Sequence, residues 1–218
     1  MSQSKSLLWA TPVEHTAVLS RYYRWHARLY DATRWSFLFG RAALIQSIAR
    51  LSPPPRRILE IGCGTGSNLL HLRRQFPDAA LVGLDLSSDM LARARRKLAA
   101  HPARITLLQW RYDQPLYLEP TFDLIVFSYC LSMINPGWER AMDAALRDLR
   151  PNGLLAAVDF HDTRFAGFQR WMGVNHVRMD GHLLPRLNAL CPPVAQTLRA
   201  AYGGGWRYFR FIGQKPGG

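Results

Sequence analysis

Arg57-Ile58-Leu59-Glu60-Ile61-Gly62-Cys63-Gly64-Thr65-Gly66-Ser67-Asn68 is a short apolar run that ends in an acid and passes into a turn with glycine at every second position. The next residues, Leu69-Leu70-His71-Leu72-Arg73-Arg74, are mostly strong helix formers. A strand, a glycine turn and a helix in succession form the element with which an open α/β sheet receives a nucleoside-containing cofactor. Glycine matters there because a side chain would hold the backbone away from the ligand.

Working outward, Ser52-Pro53-Pro54-Pro55 breaks any preceding helix. Phe76-Pro77-Asp78 ends the following one, and Ala80-Leu81-Val82-Gly83-Leu84-Asp85 reads as a second buried strand. Its terminal acid falls 19 residues past Gly66, where dinucleotide folds place a carboxylate on the ribose hydroxyls. Ser87 and Ser88 are capping residues for a helix over 89–99. Ile105–Gln109 and Phe122–Ser128 read as third and fourth strands. Pro136-Gly137-Trp138 opens a helix to about Leu149, and Leu154–Asp159 forms a fifth strand. Strands and helices alternating at this spacing mean a mainly parallel sheet in a Rossmann-like α/β domain. From His161 to about Gly181 the pattern loosens into a polar and aromatic segment. A short helix is expected over 183–190. An antiparallel hairpin over 194–214, turning at Gly203-Gly204-Gly205, closes the sheet.

With 218 residues, of which 48% are hydrophobic, the chain suits one domain with a full core. Twenty-eight Lys and Arg against 15 Asp and Glu leave a formal charge of +13, which predicts attraction to nucleic acid or an anionic lipid surface. Cys63, Cys130 and Cys191 are scattered and odd in number, so a reduced cytoplasmic compartment is expected, with no disulfide framework and no metal site. No signal pattern opens the chain, and no apolar run reaches the roughly 18–20 residues of a membrane span. Any membrane contact is therefore expected to be peripheral, on the inner face.

Residues 1–52 read as a loose start followed by a helical cap on the same domain. Between Arg21 and Arg57 there are eight arginines and a single acid, Asp31, interleaved with Tyr22, Tyr23, Trp25, Tyr30, Trp35, Phe37 and Phe39. Tyr22, Trp25, His26 and Leu29 share a helical face. Two readings stand: an amphipathic cap with solvated arginines, or a cap that closes the site and touches an anionic surface.

Glu-x-Gly-x-Gly-x-Gly differs from the G-x-G-x-x-G fingerprint and resembles motif I of class I S-adenosylmethionine-dependent methyltransferases. The resemblance implies that residues 53–218 bind S-adenosylmethionine and release S-adenosylhomocysteine. Glu60 and the backbone of Gly62, Gly64 and Gly66 would surround the amino acid part, and Asp85 would accept both ribose hydroxyls. Met90 is placed to flank the adenine or to sit in the core. Such enzymes carry an Asp just after the third strand, where this chain has Arg111; Asp113, two residues on, is the candidate substitute. No Asn/Asp-Pro-Pro-Tyr element and no Pro-Cys pair follows the fourth strand, which argues against a nucleic-acid substrate.

Tyr30-Asp31-Ala32-Thr33-Arg34 with Phe39-Gly40-Arg41 resembles the N-terminal signature of the diacylglyceryl-homoserine N-methyltransferases of betaine-lipid synthesis. Ser128-Tyr129, Leu131-Ser132-Met133-Ile134, Trp138 and Val158-Asp159-Phe160 match the same family. His176-Val177-Arg178-Met179-Asp180-Gly181-His182 is similar to the methyltransferase part of betaine-lipid synthases. The resemblance implies three successive methyl transfers to the homoserine amino group at an anionic membrane surface, with the enzyme that makes the homoserine lipid as a possible partner. It also places Tyr30 over the cofactor pocket, and Ser128, at the end of the fourth strand, is a further cofactor-binding candidate. The acceptor amine must be neutral to attack, so a proton acceptor is needed. His161, just after the fifth strand, ranks first by position; His26, His176 and His182 are alternatives. Tyr30 and Tyr129, with Tyr22 and Tyr23, offer aromatic faces to a quaternary ammonium. The rival readings are a phosphatidylethanolamine N-methyltransferase, an RNA methyltransferase and a non-catalytic cofactor- or lipid-binding protein.

Overall fold

The computed structural model describes residues 37–100 and 104–217. Tyr30, His26 and the rest of the cap before Phe37 lie outside the described residues.

The chain runs α1 (Arg41–Ala49), β1 (Arg57–Ile61), α2 (Ser67–Gln75), β2 (Ala80–Asp85), α3 (Ser88–Leu98), β3 (Ile105–Gln109) and β4 (Phe122–Ser128). It continues through a 3₁₀ turn (Leu131–Met133), α4 (Trp138–Asp148), β5 (Leu149–Asp162), α5 (Ala166–Val174), α6 (Leu183–Leu190), β6 (Pro193–Ala201) and β7 (Trp206–Gln214). These strands form one sheet in the order β3-β2-β1-β4-β5-β7-β6. The first five are mutually parallel, and β7 runs antiparallel to both of its neighbours. This is the Rossmann-like class I methyltransferase fold, closed by the expected C-terminal hairpin.

β1 is buried on both faces, which is why it reads as an apolar run rather than an alternation. On one face of the sheet Leu44, Ile45 and Ile48 of α1 pack with Leu69 and Leu72 of α2, Leu91 and Ala94 of α3 and Met172 of α5. On the other, Trp138, Met142 and Ala145 of α4 pack with Leu183, Leu184 and Leu187 of α6. At the amino ends of the strands Asp123 pins β1 to β4. Its Oδ2 accepts the Arg56 and Arg57 N–H groups at 2.9 and 2.8 Å, and Arg150 pairs with its Oδ1 at 2.7 Å.

Two stretches differ from the sequence reading. The segment after His161 contains helix α5, which glycines at 167 and 173 conceal from a propensity count. Tertiary stacking holds it: Phe168 lies 5.2 Å from Trp206 and 5.7 Å from Trp171, centroid to centroid. Strand β5 is longer than expected, beginning at Leu149, where α4 ends without a loop.

Candidate active site

The order of strands reverses between β1 and β4, which opens a crevice at their carboxyl ends. Pairing aligns Ile61 with Leu84 and Phe127, Asp85 with Gln109, and Ser128 with Val158, so Glu60, Asp85 and Ser128 share one edge. The glycine turn stands over it. Gly62, Gly64 and Gly66 all have left-handed φ, of 68°, 55° and 75°. A Cβ on Gly62 would fall 2.7 Å from Cys130 Cβ, so neither the turn nor the space beside it admits another residue. Lys97, in the last turn of α3, donates to Thr65 and Ser67 hydroxyls at 3.2 and 2.7 Å and braces the turn from behind.

Asp85 closes the same loop. Its Oδ2 accepts the Gly64 N–H at 2.7 Å and its Oδ1 the Ser87 N–H at 2.9 Å. Ser87 in turn caps α3 by accepting the Met90 N–H at 3.3 Å. The acid expected to hold a ribose thus also ties the glycine turn to the next helix. Glu60 is buried, 1% exposed. Met90 is buried in the core at 4% exposure. Asp113 pairs with Arg111 at 3.1 Å on the surface. The Trp110 indole N–H, one residue past β3, is buried without a hydrogen-bond acceptor among the described residues.

Distant stretches meet at the same edge beyond β4 and β5. Arg41 Nε donates to Ser128 Oγ at 3.1 Å, and Tyr129 Oη donates to the Phe39 carbonyl at 2.8 Å. Tyr129 is buried, with φ of 53° and its ring 4.8 Å from Phe160. Burial, before any nearby charge, pushes its phenol pKa upward, so it stays protonated. The Arg41 guanidinium lies 5.9 Å over its ring, so a cation already uses that side of the aromatic face. Ser132 sits in the 3₁₀ turn and is fastened to Asp159, whose Oδ1 accepts its hydroxyl at 2.6 Å and whose Oδ2 accepts its N–H at 3.1 Å. Asp159 is fully buried, and burial pushes its pKa up to about 6 despite these hydrogen bonds. The Arg178 N–H donates to the Ser132 carbonyl at 2.9 Å, bringing the 176–182 segment to the same turn.

His161 lies at the end of β5, against Gly181, with its ring 6.4 Å from Phe209. Burial lowers its pKa, and its Nδ1 is buried without a hydrogen-bond partner among the described residues. His182 is close by: its Nδ1 contacts Asp180 Oδ1, and its ring packs 4.7 Å from Trp138. His176 lines a groove of about 270 Å³ with Asn135, Gln169, Arg178, Met179 and Asp180. Sequence reasoning missed the roles of Arg41, Ser132 and Lys97. Their partners lie 87, 27 and 30–32 residues away, and no local pattern marks such pairs.

Among the described residues, no group of His, Cys, Asp or Glu could hold a metal ion, and no helix is long and apolar enough to cross a membrane. Residues 58–153 match the family described as a methyltransferase domain. The malonyl-(acyl-carrier protein) O-methyltransferase of Magnetococcus marinus is 33% identical over 124 residues, which cover 56% of this chain and 43% of that protein. The chain spans about half or less of the length of the curated relatives it matches. Among solved structures, the N-methyltransferase NodS of Bradyrhizobium japonicum with S-adenosylhomocysteine aligns at a TM-score of 0.67. It is 21% identical over 81% of this chain and 86% of that one. The Burkholderia thailandensis 1,6-didemethyltoxoflavin-N1-methyltransferase aligns at 0.68, with 17% identity over 99% of this chain and 97% of that one. The fold is that of the class I methyltransferases, and the matched segment spans its strands β1 to β4. The relatives' acceptors differ, so the acceptor must be sought in the site itself.

Proposed function

We propose that this chain is an S-adenosylmethionine-dependent N-methyltransferase that methylates the homoserine amino group of diacylglyceryl-homoserine in successive rounds. The observation that carries this reading is convergence. Stretches that resemble the betaine-lipid methyltransferases lie far apart in sequence, yet they meet at one sheet edge. Phe39 and Arg41 bond Tyr129 and Ser128, Ser132 bonds Asp159 and Arg178, and Trp138 packs on His182.

The residues present fit the cofactor. Glycines at 62, 64 and 66 keep side chains off a turn that stands at the sheet edge, Asp85 presents a carboxylate at the end of β2, and the Trp110 N–H, without an acceptor among the described residues, offers a donor past β3. Glu60, the Gly62–Gly66 backbone and Asp85 would hold it. When bound, it supplies a methyl group activated on a sulfonium. The chain's own task is to align the amine and exclude water. Arg41 and Asp159 fix Ser128 and Ser132 at the acceptor side, and the protonated Tyr129 anchors the Phe39 loop over it. The lowered pKa of His161 keeps its imidazole neutral near pH 7, which suits the proton acceptor that an ammonium substrate requires.

The test is methyl incorporation from labelled S-adenosylmethionine into vesicles carrying diacylglyceryl-homoserine, phosphatidylethanolamine or neither, with RNA as a further acceptor. Labelling of the homoserine lipid is expected. Labelling of phosphatidylethanolamine alone, or of RNA alone, would replace the proposal with that acceptor.

A further inference from the structure

We infer that the chain docks on an anionic bilayer through an aromatic face made of α5 and the turn between β6 and β7; the inference starts from the lipid-substrate reading above. Phe165, Trp171 and Val174 are 48%, 52% and 71% exposed, and Tyr202 in the turn is 62% exposed. Trp171 and Tyr202 belong to one stack about the buried Trp206, whose ring is 5.0 Å from Tyr202 and 5.2 Å from both Phe168 and Phe37. Trp171 continues the set, 5.7 Å from Phe168. The Arg164 guanidinium sits 5.1 Å over the Phe165 ring and also approaches Gly204, joining helix to turn.

Topology says which way this face points. β6 is parallel to β5 because both are antiparallel to β7. The turn after Ala201 therefore lies on the carboxyl edge of the sheet, as do the end of β5 and residues Glu60, Asp85 and Ser128. Phe39 links the two regions: its carbonyl accepts the Tyr129 hydroxyl, and its ring packs edge-on to Tyr202 at 5.4 Å. A bilayer resting on the aromatic face would thus meet the edge where the acceptor must enter.

Charge selects the partner. Arg164 and Arg170 stand just before α5 and within it, and Arg199 and Arg207 lie near the ends of β6 and β7 that meet at the turn, Arg207 paired with Asp162. Residues 163–218 hold a single acid, Asp180, itself paired with Arg178. Exposed Trp, Phe and Tyr within a cationic field are the composition of an interfacial surface, where amphipathic rings lie at headgroup depth and arginines meet lipid phosphates.

The test uses the full chain and vesicles of phosphatidylcholine with or without phosphatidylglycerol, read by co-sedimentation and tryptophan emission. Wild type is expected to prefer the anionic vesicles. The Phe165→Ser/Trp171→Ser pair and, separately, Val174→Glu are each expected to weaken that binding about tenfold or more. Their circular dichroism and S-adenosylmethionine affinity should match wild type; Val174→Glu alters an exposed position and guards against misfolding of the pair. Undiminished vesicle binding by correctly folded variants overturns the inference. So does indifference of wild type to phosphatidylglycerol, or a dimer in solution that the substitutions dissociate. Wild type that binds vesicles through this face but methylates no lipid sinks the substrate reading and leaves the docking face standing.

Discussion

Asp85 carries two duties at one atom pair. Its carboxylate accepts the Gly64 and Ser87 N–H groups, at 2.7 and 2.9 Å, at the place where a ribose is expected. Asp85→Ala is expected to weaken S-adenosylmethionine binding about 100-fold, since charge-assisted bonds of this kind contribute roughly 1.5–3 kcal/mol each. Titration calorimetry measures it, and unchanged affinity would remove the cofactor from this edge. Asp159 makes a different prediction. Its folded pKa, about 6, lies above its ordinary 3.8 because it is fully buried. The stability it contributes is therefore fully present below about pH 3.8 and is lost as pH rises through about 6, a change of the order of 3 kcal/mol. Urea denaturation across this range should show the decline in wild type and a flatter profile in Asp159→Asn.

At the scale of elements, the glycine turn is held by neighbours as much as by its own φ. A Cβ added at Gly62 would fall 2.7 Å from Cys130 Cβ, and the Cys130 thiol donates to the Ile61 carbonyl at 3.1 Å. Gly62→Ala combines a left-handed residue with a clash between two strand ends. A loss of about 2–4 kcal/mol is expected, with a fall in melting temperature of about 5–15 °C by calorimetry. The end of α4 is fixed in a comparable way. Buried Asp148 accepts the Tyr112 hydroxyl at 2.8 Å and the Leu116 N–H at 2.9 Å, tying the β3–β4 connection to the end of the helix. Burial raises the pKa of both Tyr112 and Asp148, and Tyr112 remains the donor.

The whole molecule is a cation of +13 whose last quarter, residues 163–218, holds a single acid. Proposed docking then has two components, a screened electrostatic attraction and an apolar insertion that salt does not screen. Raising ionic strength from 0.1 to 1 M shortens the Debye length from about 10 to about 3 Å. Affinity for phosphatidylglycerol vesicles should fall steeply over that range. What remains at high salt should disappear in the Phe165→Ser/Trp171→Ser variant. Surface plasmon resonance on captured vesicles measures both, and a residual equal in the two proteins would assign insertion to another part of the chain.

The amino acid order by itself determined the strands from β1 to β4, the glycine turn, the acid at the end of β2 and the hairpin that closes the sheet. Each is written in short-range chemistry: runs of apolar residues, prolines at breaks, glycines at turns, a capping Ser87. α5 was hidden because its helix depends on rings stacked against Trp206, more than 30 residues later. The proposed acceptor side was legible only as separate stretches. That Arg41 reaches Ser128, or that Asp159 holds Ser132, was decided by which strands became neighbours, and a hydrogen bond across 27 or 87 residues leaves no trace in local composition. The same holds for the pKa of Asp159, which burial sets and sequence does not state. The aromatic face appeared only when folding brought Tyr202 and, through Phe168, Trp171 to the buried Trp206.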